Sequence, residues 1–148
     1  MRALLVVLLA CFASVTPAQS PLPPALESIV AQVKPDSRLE VFYLGAPDCP
    51  YCREWERTER DDLIVWTAGR GIGFAEILGE TLRLPITERH YPPRYRWVYE
   101  QVGPSRGVPR FLLAVDGHVI LSAYGTNRYK ELFFPALVKA AARRANRL

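Results

Sequence analysis

The run Leu39-Glu40-Val41-Phe42-Tyr43-Leu44 is apolar enough for a buried strand. After four intervening residues, Cys49-Pro50-Tyr51-Cys52 opens a stretch that, beyond Pro50, has no proline or glycine until Gly69. A strand that hands a cysteine to a helix start aims unpaired backbone N–H groups and the positive end of the helix dipole at its sulfur. Both favour thiolate over thiol. Pro50 suits the first helical position, where a missing N–H costs nothing. The thiolate is the attacking species, and a cysteine three residues on, one helical turn away, can reach back to break the mixed disulfide that the first attack creates. Cys49 therefore reads as the nucleophile and Cys52 as the resolving thiol.

Other chemistries use the same spacing. A tetrahedral zinc site needs four ligands, but the remaining cysteine, Cys11, lies in a leader-like segment, and His90 and His118 lack the short spacing of a zinc-binding histidine pair. A purely structural disulfide across so short a loop gains little from loop closure. The expectation is a redox dithiol with no metal and no organic cofactor.

The first 20 residues carry Arg2, the apolar run Ala3 to Ala13, and then Ser14, Thr16, Pro17 and Ala18. That order of charged, apolar and small residues is expected of a secretory signal peptide over 1–20, leaving residues 21–148 as one domain. The apolar run is shorter than the ~20 residues a spanning helix requires, so no stable membrane span is expected in the mature form. Leu8-Leu9-Ala10-Cys11 supplies a minor alternative, lipoprotein anchoring through Cys11. With the leader removed, the two remaining cysteines both sit in the one motif, in a compartment where disulfides persist. The 148 residues are 49% hydrophobic and 23% charged, enough for one domain with a real core. The net charge of +4 includes Arg2, the only charged residue of the leader. Arg143, Arg144 and Arg147 suit a helix C-terminus, and no nucleic-acid partner is expected.

Along the chain, the pattern predicts a short helix over Ala25 to Val33, a strand over Leu39 to Leu44, and a helix from Pro50 to about Ala68. A second strand follows over Phe74 to Leu78, a loop over Arg83 to Pro93, and a helix over Tyr95 to Val102. Phe111 to Val115 and His118 to Ala123 flank Asp116-Gly117, the strongest hairpin signal in the chain. A last helix is expected from Asn127 to Arg144, with Pro135 in an early turn or at a kink.

The order strand, helix, strand, helix, strand, strand, helix resembles the thioredoxin superfamily over roughly residues 37–142. Cys49-Pro50-Tyr51-Cys52 is similar to the active-site motifs of glutaredoxins and of periplasmic DsbA-type oxidoreductases. Gly107-Val108-Pro109 stands where the superfamily carries a cis-proline facing the cysteines. The resemblance implies an α/β fold with a central mixed β-sheet of about four strands flanked by helices. It further implies a cis bond before Pro109, and a substrate site at Val108 and Pro109, beside Pro50 and Tyr51, where the Val108 backbone pairs with an extended client. Arg110 adds positive charge near that groove or is simply solvated.

Three places depart from the family patterns. Thioredoxins and many DsbA-type proteins carry a buried acid six positions before the first active-site cysteine; here that residue is Tyr43. The nearest acids are Glu40 and Asp48, and Asp48, beside Cys49, would oppose thiolate formation by Coulomb repulsion. Gly107-Val108-Pro109 and Tyr124-Gly125-Thr126-Asn127 also depart from the glutathione-holding motifs of glutaredoxins. The resemblance thus implies an exported, periplasmic thiol-disulfide oxidoreductase acting on protein thiols or disulfides, with a separate redox partner that recycles the dithiol. The rival reading is a noncatalytic binding or assembly module holding an extended client or a soft ion between two thiolates. Among residues 80–106, His90, Tyr91, Arg94, Tyr95, Arg96 and Trp97 offer either a client surface or an ordinary helix with a wet face.

Overall fold

The computed structural model describes residues 22–145. The leader over 1–20 and the alternative anchor Cys11 lie outside the described residues. Four strands form one sheet in the order β2-β1-β3-β4, with β1 (Leu39–Gly45) between β2 (Gly73–Leu78) and β3 (Arg110–Val115), and β4 (His118–Tyr124) at the edge. β1 and β2 are parallel, while β1/β3 and β3/β4 are antiparallel. The sheet is therefore mixed, as the motif order implied.

Strands β1 and β3 are apolar along almost their whole length because both of their faces are covered. Leu39, Val41, Tyr43, Phe111 and Leu113 point to one face, where they pack with Cys49, Cys52, Trp55, Leu63, Phe133 and Leu137. Phe42, Leu44, Leu112 and Ala114 point to the other, with Ile77, Ile86, Tyr91 and Val98. Period-two alternation thus sorts β1 and β3 into two half-cores. Asp116 and Gly117 close the β3–β4 hairpin with φ of 51° and 81°; positive φ at both central residues gives a turn whose twist matches the strands. The Asp116 carboxylate then accepts from the Arg38 backbone N–H at 2.7 Å and from Ser37 Oγ at 2.9 Å, tying the hairpin to the entrance of β1.

The cysteine-bearing face is covered by α1 (Pro24–Val30), by α2 (Pro50–Trp55) and α3 (Asp61–Ala68), and by α6 (Phe134–Ala145). α1 ends three residues earlier than the pattern predicts, its C-cap Ala31 leading into a turn. The long helix expected from Pro50 to Ala68 keeps both boundaries but widens into a π turn over Glu56–Arg60. The last helix starts at Gly125 rather than Asn127, runs through α5 (Gly125–Arg128), and widens again over Tyr129–Phe133. Pro135 is the second residue of α6, so its missing N–H falls where the α-helical ladder restarts after that wide turn. The opposite face is covered by α4 (Arg96–Val102) and by the segment before it, where Ile86 pairs with Ser105 in an isolated antiparallel bridge. Among the described residues, no helix is long and apolar enough to cross a membrane.

Candidate functional site

At the carboxyl end of β1 the chain turns through Ala46-Pro47-Asp48 and enters α2 with Cys49 as its N-cap. Cys49 has extended backbone angles, φ −85° and ψ 114°, and Pro50 holds the first helical position. The Cys52 backbone N–H donates to Cys49 Sγ at 3.1 Å, so an otherwise unpaired helix-start donor is spent on the sulfur. Cys49 and Cys52 are joined in a disulfide, with Cα atoms 5.2 Å apart. Cys49 is 2% exposed and Cys52 is fully covered. Both are buried, the first cysteine at the mouth of the helix and the second one turn inside.

The other predicted site residues divide. The Val108–Pro109 bond is cis, and the Val108 carbonyl oxygen lies 3.7 Å from Cys49 Sγ. Two hydrogen bonds fix this segment: Ser105 Oγ donates to the Gly107 carbonyl at 2.9 Å, and the Gly125 N–H donates to the Pro109 carbonyl at 2.8 Å. Pro50 is exposed, and Tyr51 is 68% exposed beside the disulfide. Of the seven exposed large hydrophobic residues among those described, five, namely Tyr51, Leu78, Leu82, Leu84 and Tyr124, belong to this end of the sheet or to the segment leading from it. Exposed apolar side chains are therefore concentrated at the end of the sheet that carries the dithiol and in the segment that leaves it.

Two expectations, for Arg110 and for residues 90–97, need correction, whereas Asp48 keeps a charged carboxylate on the residue before Cys49. It accepts from Thr81 Oγ1 and from the Leu82 backbone N–H, in that order the causes that hold its pKa below the ordinary carboxylate range, and it thereby ties the segment after β2 to the dithiol loop. Arg110 is not solvated, and its side chain lies on the face of the sheet away from the cysteines. As the first residue of β3 it points to the face opposite Phe111 and is 6% exposed. Residues 90–97 do not form one surface: Tyr91 is buried, Tyr95 and Trp97 pack edge-on against Phe42, and His90 closes a capping box with Thr87.

Tyr43 is fully buried, stacked on Trp55 with ring centroids 4.4 Å apart. Burial, and then its bond to Glu56, push its pKa above the ordinary phenol value. Its hydroxyl donates to Glu56 Oε1 at 2.7 Å. The phenol fits only because position 45 is glycine: a Cβ there would stand 2.4 Å from the hydroxyl oxygen. Glu56 follows Cys52 by one turn, with its N–H directed at the Cys52 carbonyl. Beyond it, Arg60 grips Glu76 through Nε at 2.6 Å and Nη2 at 3.0 Å. Glu56, Arg60, Asp61, Glu76 and Leu78 line an open groove of about 330 Å³, so the carboxylate borders solvent.

Sequence reasoning missed Glu56, Gly45 and Glu76. The four-residue step from Cys52 to Glu56 was visible, but the phenol that fixes the carboxylate comes from a different element.

The fold is thioredoxin-like. No family model and no curated protein matches the chain. Among solved structures, the periplasmic thioredoxin SoxS from Paracoccus pantotrophus, in its reduced form, is similar at 18% identity and a TM-score of 0.48, covering 72% of this chain and 98% of that one. The sheet order and the placement of the cysteines rest on the geometry above and not on that likeness.

Proposed function

We propose that this chain is an exported protein thiol-disulfide oxidoreductase working through Cys49 and Cys52. The observation that carries the reading is the helix-capping Cys49 sulfur, which accepts the Cys52 N–H and lies 3.7 Å from the carbonyl of a cis-proline segment. The exported location rests on the signal-like composition of residues 1–20.

In the reducing direction, the Cys49 thiolate attacks one sulfur of a client disulfide. A Cys49–client bond forms and one client thiolate leaves. Cys52 then loses its proton and attacks Cys49 Sγ, closing the Cys49–Cys52 disulfide and releasing the second client thiolate, which takes up a proton. Two electrons pass from the dithiol to the client, and a reducing partner restores the dithiol; an oxidising partner drives the same steps backwards. Glu56 is the group that takes the Cys52 proton. Side chains four apart on a helix have Cβ atoms about 5–6 Å apart, the Tyr43 hydroxyl holds the carboxylate, and the adjoining groove gives the proton an exit. The exposed apolar side chains at this end of the sheet suit a protein client.

The deciding experiment is the equilibrium reduction potential of the purified mature protein in glutathione and dithiothreitol series with thiol trapping. A potential near about −270 mV marks a reductase and one near about −120 mV a disulfide donor. A pair that never closes under oxidising conditions overturns the reading. Glu56→Gln tests the proton route separately: mixed-disulfide resolution slows by about 10²-fold and its pH profile moves, while the rate of first attack by Cys49 holds. An unchanged pH profile removes Glu56 from the mechanism.

A further inference from the structure

Arg110 is the one charged residue among the buried polar residues described, and no carboxylate pairs with it among the described residues. Its Nε donates to Ser122 Oγ at 2.9 Å, and its guanidinium lies 4.8 Å from the Tyr124 ring centroid. Nη1 is buried and bonds to nothing in the protein. The Tyr91 hydroxyl is a second buried group without a partner. The two are electrostatically linked: burial pushes the Tyr91 phenol up to about 12, and the Arg110 charge pulls it back down. A buried guanidinium with neither countercharge nor full hydrogen bonding is expensive, and folded proteins retain buried charges when something pairs with them. Both unpartnered groups are hydrogen-bond donors.

We infer that Arg110 is the floor of a carboxylate-binding subsite that takes an acidic side chain of the client segment. This rests on the client-binding reading above. Arg110 helps to line a shallow groove of about 560 Å³ between the end of α4 and β4, walled by Gln101, Val102, Val119 and Leu121. Tyr124 links this groove to the cis-proline segment. Gly107, next to Val108, approaches the Tyr124 ring so closely that a Cβ there would stand 3.2 Å from it, and that ring in turn covers the Arg110 guanidinium. An extended segment that leaves the Val108 backbone over Gly107 therefore crosses Tyr124 before reaching the cation. An acid at that distance from the reacting cysteine finds a donor already freed from water, and a planar guanidinium suits a carboxylate better than a point charge does. Arg110 is a specificity residue and touches no reacting atom.

The test uses the mature protein and disulfide peptides identical except for one Glu or Gln, moved stepwise from two to six residues on either side of the reacting cysteine. At one position the Glu peptide is expected to react about ten times faster with the reduced protein. That preference disappears in both Arg110→Met and Arg110→Gln, while the rate with uncharged hydroxyethyl disulfide stays the same. Serine versions of the peptides, titrated against the oxidised protein, give the same ranking as affinities and do not depend on redox chemistry. No Glu preference at any position, or one that survives both substitutions, overturns the inference. Thermal stabilisation by sodium acetate without a peptide preference also overturns it, because the site then serves a free anion. Failure with hydroxyethyl disulfide instead overturns the oxidoreductase reading, and the serine-peptide titration still decides the subsite.

Discussion

Arg60 and Arg110 hold their charge on opposite faces of one sheet and in opposite ways. Arg60 is about one-third exposed and grips Glu76 with two nitrogens, and Asp61 adds a third contact. Arg110 is almost wholly buried and meets a hydroxyl and an aromatic ring, with no carboxylate. The cysteine-bearing face thus contains its own countercharges, arranged around Glu56 and the Tyr43 hydroxyl. The other face leaves a cation open directly after the cis-proline. The difference separates a region built for internal proton movement from one built for an external partner.

The largest expected effect breaks the cysteine-bearing face. Gly45→Ala drives a methyl group into the Tyr43 phenol, costing about 1–3 kcal/mol by overpacking and detaching Glu56. A lowered midpoint in urea, together with the altered resolution pH profile of Glu56→Gln, is the outcome to look for; an unperturbed protein contradicts the close approach at position 45. Next comes a contrast in sign between the two arginines. Arg110→Met replaces an uncompensated buried charge with an apolar chain of similar reach and raises stability of the free protein by about 1 kcal/mol. Arg60→Met lowers it by about 1 kcal/mol or less, because its partners are partly solvated. Equal signs in thermal unfolding of the two variants erase the distinction.

The smallest effect sharpens the comparison at a carboxylate that is fully engaged. The Arg38 backbone N–H and then the Ser37 hydroxyl hold the Asp116 pKa below its ordinary value. A depressed folded-state pKa contributes stability that is complete above the unfolded value, near about 4, and is lost as pH falls through the folded one. Asp116→Asn keeps a residue that tolerates positive φ and removes that titration. The variant is expected to lose less stability than the parent between neutral pH and the acid limb, read by denaturant midpoints across the range.

Much of the architecture was legible because its signals are local. The apolar run Leu39–Leu44, the Asp116-Gly117 turn and the cysteines at a helix start each depend on neighbours in sequence, and all three are in place. The two π turns carry no comparable pattern: wide turns arise where helices meet other elements, as Lys130 meets Glu59 and Tyr129 packs on Trp55. The Tyr43–Glu56 bond was illegible for a related reason, since it joins a strand to the helix that follows it. Arg110 misled because a charged residue beside a groove reads as solvated. The alternation of β3 turns it inward, and only the ring of Tyr124, from the neighbouring strand, completes its cover.

The fit between Tyr43 and Gly45 also constrains descent. A lineage that keeps the tyrosine cannot accept even one methyl group two residues later. One that replaces the tyrosine with a shorter side chain releases position 45 to vary and, by the same change, loses the hydroxyl that holds Glu56. A substitution at any one of these three positions, spread over fourteen residues, therefore changes what the other two must do.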